Sequence, residues 1–378
     1  MRSYEAAVIG LGGMGSAILA HLAARGTHVV GLEQYGPAHA LGASHGGSRI
    51  IRQAYYEHPA YVPLLLRAYE LWDELQRRSG EHLLLRTGGL MVGAPESKVV
   101  SGALRSAREH GLVHQLLEAS DLRRRFSVLR PLQHEVALYE EQAGLLFPEA
   151  CVLAHLRWAV EAGAEARFGT QVRSWWETGR GVELELAGGE RIQAEQLIVA
   201  AGAWLGKTAR DAALPLRVER NVLHWFEPLA HREDFAADRF PVYLLEREGT
   251  PMLYGFPDLP GQGIKAAFHH SQEYTDLEHL ARDVAAEEIA ALKHALEGWA
   301  PDAVGRHLRS SVCMYTVTPD EHFVIGRHPT HPHVVLAGGF SGHGYKFCAV
   351  IGEAVAGLVV DGASPHAIDL FAPQRFVS

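Results

Sequence analysis

Lys265 and His269 stand in the stretch GIKAAFHH, with an alanine midway between them. Side chains alternate along an extended chain, so Lys265, Ala267 and His269 share one face, and Ile264, Ala266 and Phe268 the other. A lysine and a histidine spaced this way leave room above a planar ring. Read alone, Lys265 is equally an edge-strand lysine that protects against aggregation. The preceding stretch, PMLYGFPD, places Met252, Tyr254 and Phe256 on one face. Two further cations have apolar or aromatic neighbours: Arg52 follows Ile50 and Ile51, and Lys346 lies between Tyr345 and Phe347. Cys313, in RSSVCMYTVTPDEHFVIG, is one of 3 cysteines. No second cysteine is near enough to suggest a metal pair, and on residue type alone Cys313 reads as a small buried hydrophobe.

The N-terminal stretch YEAAVIGLGGMGSAILAHLAARGTHVVGLEQ supplies a different chemistry. It reads as strand, tight turn, helix and second strand. Gly10, Gly12 and Gly15 form G-x-G-x-x-G: one glycine for the turn, one for close approach of a pyrophosphate, one for helix–strand packing. Ile18, Leu19 and Leu22 face the sheet. The helix N-terminus offers free amides to a phosphate. Glu33 ends the second strand, where an acid accepts hydrogen bonds from ribose hydroxyls and disfavours a 2′-phosphate. The motif predicts dinucleotide binding without separating NAD from FAD.

These residues need a sizeable scaffold. A chain of 378 residues predicts two domains. Net charge is -9 with both signs interspersed, which carries no nucleic-acid signature. Three cysteines make no disulfide framework. No leader-like segment opens the sequence and no apolar run is long enough to span a bilayer, so the expectation is a soluble, cytoplasmic protein. YVPLLLRAYELWDELQRRSG predicts an amphipathic helix with Val62, Leu65, Leu66, Tyr69 and Trp72 on one face. LLLRTGGLMVGA predicts a strand pair bent at Gly88-Gly89. PEACVLAHLRWAVEAGAEARFGTQV predicts a helix, with Cys151 in its core face, and then a strand. GVELELAGGERIQAEQLIVAAGAW predicts a hairpin around Gly188-Gly189, followed by a separate buried strand from Leu197 to Ala201. From about Val218 the pattern alternates and is rich in aromatics, as in an antiparallel sheet. DLEHLARDVAAEEIAALKHALEGW predicts one helix, and HVVLAGGFSGHGYKFCAVIGEAVAGLVV a return to strand, glycine loop and helix. His328, His331 and His333 alternate with prolines and predict an exposed turn, without the spacing of a metal site.

Four separated stretches, VIGLGGMGSAILAHLAARG, HGGSRIIRQAYYEHPAYVPL, SVCMYTVTPDEHFVIG and AGGFSGHGYKF, resemble the monomeric sarcosine oxidase and N-methyltryptophan oxidase family nearly end to end. The resemblance implies an α/β (α+β) fold like that of p-hydroxybenzoate hydroxylase: a Rossmann-like FAD-binding domain and a substrate domain on an antiparallel sheet. It implies oxidation of secondary amino acids to imines, with O2 as acceptor, by a monomer. FAD would be linked through its 8α-methyl group to Cys313, with Cys348 a packing residue. Lys265, His269, Arg49, His45 and Tyr254 match active-site residues, Lys265 the lysine that activates oxygen. Arg52 and Lys346 match the clamp on the substrate carboxylate, with Tyr254 and His269 beside it. The cofactor set it implies is Gly10, Gly12, Gly13, Met14, Gly15, Glu33, Ser44, His45, Arg49, Val172, Gly202, Trp204, Cys313, Met314, Gly342, His343, Gly344 and Lys346, with no metal. Small residues in GGFSGHGYKF would let a helix start aim its amides at the flavin N1 and O2 edge.

The expected division is residues 1–85, 148–217 and 310–378 for the FAD-binding domain, and 86–147 and 218–309 for the substrate domain. Competing readings are a D-amino-acid or glycine oxidase, a flavin or NAD-dependent dehydrogenase, and a non-catalytic flavoprotein. Sarcosine, N-methyltryptophan, proline and pipecolate all remain open as substrates, with Leu245, Met252, Tyr55, Tyr56 and His58 shaping the pocket.

Overall fold

The computed structural model describes residues 2–377. Its first layer is an eight-stranded sheet. Strand Arg2–Ile9 lies at the centre, parallel to Val29–Leu32 on one side and to Arg191–Val199 on the other. Near-continuous apolar runs such as AAVI suit strands covered on both faces. Helix Gly13–Ala24 packs between this sheet and the helices Pro148–Glu161 and Cys348–Val360, and nearly all of it is buried. The sequence expectation separated a hairpin strand from a following core strand. A single strand, Arg191–Val199, does both: its first half pairs antiparallel with Gly181–Leu186 and its second half parallel with Val334–Gly338.

The second layer is a nine-stranded, mostly antiparallel sheet. Gly263–His269 lies inside it, between Arg217–Phe226 and Met252–Leu259. The edge-strand reading of Lys265 therefore fails. Strand His307–Val317 runs alongside Arg217–Phe226 with Cys313 opposite Asn221. Gly89–Gly93 joins this sheet beside Val242–Leu245, whereas Leu84–Arg86 belongs to a small three-stranded sheet with Arg49–Ile51 and Gly144–Leu146. The expected strand pair is thus two strands of different sheets. Gly88, at φ +73°, turns the chain between them, with the Tyr139 ring packed where a Cβ would stand.

Three other expectations are corrected. The helix expected over Asp276 to Trp299 is confined to Ala286–Glu297. Upstream, the buried Arg220 takes the carbonyls of Ala281 and Asp283, and Asp276 takes the amides of Glu278 and His279, so these groups are withdrawn from a helical ladder. In helix Val62–Ser79, Leu66 is 38% exposed, while Leu64, Ala68, Leu71 and Leu75 are buried. His328 is buried rather than exposed, and His331 bridges Glu177 and Asp211 through its two ring nitrogens. No cluster able to hold a metal ion is found among the described residues. Nor is any helix there long and apolar enough to cross a membrane.

Candidate active site

A cavity of about 760 Å³ opens along the C-terminal edge of the first sheet. The glycine turn forms its floor. Gly10 has φ +88°, and a Cβ there would meet the Ala200 carbonyl oxygen at 2.6 Å. Gly12 and Gly13 face the cavity, and Gly13 N–H donates to Ser44 Oγ at 2.9 Å. Gly15 does not line it: a Cβ there would run into the Gly10 carbonyl, so this glycine serves close packing. Glu33 reaches the cavity from the end of Val29–Leu32, its carboxylate oriented by the amides of Leu11 and Tyr35 at 2.9 and 3.0 Å. Met14, Ser44, Arg49, Val172, Gly202, Trp204, Cys313, Met314, Gly342 and Gly344 line the remaining walls.

A second space, about 70 Å³, adjoins the first. Arg49, Cys313, Tyr315, Gly342 and Tyr345 line both, so the two share a wall. Arg52, Tyr254, His269, His343 and Lys346 line the smaller space alone. His343 and Lys346, expected among the cofactor contacts, therefore present to this side. Lys346 Nζ donates to the His343 carbonyl at 2.6 Å. Burial, reinforced by Arg52, lowers the Lys346 pKa to about 7. The His343 ring is fixed at both nitrogens, by Tyr55 Oη at 2.6 Å and the Glu321 carbonyl at 2.9 Å.

Arg52 is 2% exposed, and its Nη2 donates to both carboxylate oxygens of Glu57 at 2.7 Å. Its guanidinium also lies over the Tyr55 ring, 4.2 Å from the centroid, and the Tyr56 ring, at 4.6 Å. Lys346 Nζ is 5.1 Å from the centroid of the same Tyr55 ring. Burial works to raise the Glu57 pKa, but Arg52, His343 and Lys346 outweigh it and hold it below the ordinary glutamate value. Behind the arginine, the carboxylate of the buried Glu140 accepts from the amides of Gln53 and Ala54 at 2.7 and 2.8 Å.

Lys265 and His269 project from the face that the alternation predicts, while Ile264, Ala266 and Phe268 enter the core on the other. Lys265 Nζ donates to the carbonyls of Gly46 and Ser48, both at 2.8 Å, and to Ser48 Oγ at 3.1 Å. Burial and nearby Arg49 oppose the charge, yet the three acceptors match the three donors of an ammonium. His269 Nδ1 is 3.4 Å from Tyr315 Oη. Burial, then His270, holds its pKa well below the ordinary histidine value, so the ring is neutral. Burial raises Tyr254 to about 12. Arg49 Nη2 stands 3.7 Å from Cys313 Sγ, and its guanidinium donates to the carbonyls of Ser48 and Ala43. His45 lines neither space; its Nε2 is buried without a partner, and burial, Arg49 and Lys265 lower its pKa to about 3. Cys348 faces the large cavity, while Cys151 is core.

Glu57 and Tyr315 escaped the sequence reading. Tyr315 carries a usable signal: two residues beyond Cys313 on one strand, it must share its face. Glu57 carries none, since its partner is fixed by a loop. The smaller space thus presents Arg52, Lys346, the Glu57 carboxylate and the neutral histidines His269 and His343 against the wall that bears Arg49 and the Cys313 thiol.

A family model described as FAD dependent oxidoreductase matches residues 5–358. The chain is 45% identical to a monomeric sarcosine oxidase of Streptomyces avermitilis, covering 100% of this chain and 98% of the relative. It is 36% identical to a monomeric sarcosine oxidase of a Bacillus species, over 98% and 97%. An N-methyl-L-tryptophan oxidase of Yersinia pestis is 31% identical over 99% of both. Among solved structures, the L-proline dehydrogenase of P. horikoshii superposes with a TM-score of 0.85 at 22% identity, covering 99% of this chain and 98% of that one. At that identity the likeness concerns the fold.

Proposed function

The chain belongs to the FAD-dependent oxidoreductases of the sarcosine oxidase type, and from that premise we propose that it oxidises a small secondary amino acid such as sarcosine. The observation that carries this reading is the wall shared by the two spaces, with Cys313 and Arg49 in it and the cations Arg52 and Lys346 on the far side. The large cavity fits FAD. Its length runs from Glu33, suited to a ribose, past the glycine turn, suited to a pyrophosphate, to Cys313, where an 8α-S-cysteinyl bond would anchor the ring. Bound there, the flavin supplies the acceptor for the hydride removed from the substrate carbon.

The protein's own groups hold and orient the amino acid. Arg52 and Lys346 bind its carboxylate, and neutral His269, beside Tyr254 and Tyr315, faces the amine without repelling or charging it. Arg49, in the shared wall, would border the ring, and Lys265 would set a positive charge where oxygen is reduced. One CH–NH bond becomes C=N, O2 takes up the electron pair and two protons to give H2O2, and water hydrolyses the imine. An N-methyl substrate then yields formaldehyde and the free amino acid. A space of about 70 Å³ bounded by Tyr56, Leu244, Tyr254 and Phe256 supports a substrate of few heavy atoms. In this reading residues 1–85, 148–217 and 310–378 bind FAD, and 86–147 and 218–309 shape the substrate side. The boundary at 310 falls within strand His307–Val317. The molecule acts as a cytoplasmic monomer.

The test is hydrogen peroxide release from sarcosine, N-methyl-L-tryptophan, L-proline and pipecolate. Sarcosine should give the highest kcat/KM. Preference for N-methyl-L-tryptophan would refute the small-substrate reading, and no peroxide from any of the four would refute the oxidase.

A further inference from the structure

Resting on the reading of Lys265 given above, we infer that Glu149 is its positioning residue. Glu149 holds in place the loop whose acceptors capture the lysine. The two residues do not touch. Glu149 sits in the first turn of helix Pro148–Glu161, and its Oε1 accepts from the amides of Gly46 at 2.7 Å and Gly47 at 3.2 Å. Both glycines have positive φ, +92° and +75°. Successive residues in this conformation turn neighbouring N–H groups toward one anion, here a carboxylate oxygen. The Gly46 carbonyl and both oxygens of Ser48 then point the other way, onto Lys265 Nζ.

Every acceptor that Lys265 has thus lies on residues 46 to 48, and Glu149 is the side chain that holds the amides of that turn. Arg49 Nη1 donates to the Ser48 carbonyl at 2.8 Å and Leu223 packs against Gly46, but neither contact holds the amides of Gly46 and Gly47. A Cβ on Gly47 would meet only the end of the Gln262 side chain. The helix that carries Glu149 is itself registered to the site, because Tyr345, in the shared wall, donates through Oη to the Pro148 carbonyl at 2.7 Å.

A positioning role predicts an effect confined to the reaction that uses Lys265. In the flavin-loaded enzyme, Glu149→Ala should slow reoxidation of the reduced flavin by O2 by about 10- to 100-fold, the scale of a misplacement on the order of 1 Å. Anaerobic reduction by sarcosine and the visible spectrum of the bound flavin should change little. Glu149→Gln keeps an oxygen at Oε1 for both amides and should restore near-native reoxidation. Native reoxidation in Glu149→Ala, an equal loss in both half-reactions, or a Glu149→Gln variant as slow as Glu149→Ala would each overturn the proposal. Lys265→Met, measured in parallel, separates it from its premise. If Lys265→Met reoxidises at the native rate, the role of Lys265 falls; if it is slow while Glu149→Ala is not, only the role of Glu149 falls.

Discussion

Raising the pH should loosen a bound carboxylate through Lys346. The lysine has a pKa near 7 because burial and Arg52 oppose its charge. A ligand carboxylate favours the ammonium, so the affinity that Lys346 contributes is fully present below about pH 7 and is lost above it. With that pKa, the charged fraction falls from roughly nine-tenths at pH 6 to about 3% at pH 8.5. A ligand that requires the ammonium then loses about 30-fold in affinity, or ~2 kcal/mol. Three neighbours lining the space do not titrate in this window: His269 and His343 are held low by burial, and Tyr254 is raised to about 12. Glu57 favours the charged form of Lys346, so Glu57→Gln should move the loosening to lower pH. The assay is titration of the flavin absorption with acetate, which is ionised throughout. Affinity independent of pH in the unmodified protein, or the same slope in Lys346→Gln, would refute the argument.

Cys313→Ser should release its flavin on acid precipitation, whereas Cys348→Ser should retain it on the protein; the yellow colour of the pellet decides. Arg52→Ala strands the Glu57 carboxylate, which is buried with the arginine, and should destabilise the fold by about 3–5 kcal/mol. The double variant Arg52→Ala/Glu57→Ala should lose less than the sum of the single losses in denaturant unfolding. Glu140→Ala leaves the amides of Gln53 and Ala54 without acceptors, each costing roughly 1–3 kcal/mol. It should weaken acetate binding more than it slows reduction of the flavin by saturating sarcosine.

What could be read from the chain was whatever obeyed a local rule. The glycine turn, its helix and Glu33 lie within one short unit, where φ and packing leave few choices. That Lys265 and His269 share a face followed from alternation, whereas their place in the site came only from the family resemblance. What escaped depended on partners distant in sequence. Strand Arg191–Val199 reads as two elements because its neighbour changes midway. Leu84–Arg86 and Gly89–Gly93 are nearly contiguous, yet their partners lie in different sheets. Arg220 removes carbonyls from a stretch that has helical periodicity. Glu57 and Glu149 are ordinary glutamates in the sequence; only the loops that bring them to Arg52 and Gly46 make them informative.

The order in which the cavity walls occur along the chain has a consequence for biosynthesis. The glycine turn leaves the ribosome long before its opposite wall, from Ala337 to Cys348. Strand Val334–Gly338 also joins the sheet of Arg2–Ile9, between Arg191–Val199 and Val324–Arg327. At ~5–20 residues per second, the interval between the two is on the order of 20–60 s. Through that interval the nascent chain exposes an unfinished parallel sheet, whose long-range pairing is slow and prone to aggregation. The cofactor site therefore has both of its walls only once the chain through Cys348 has emerged.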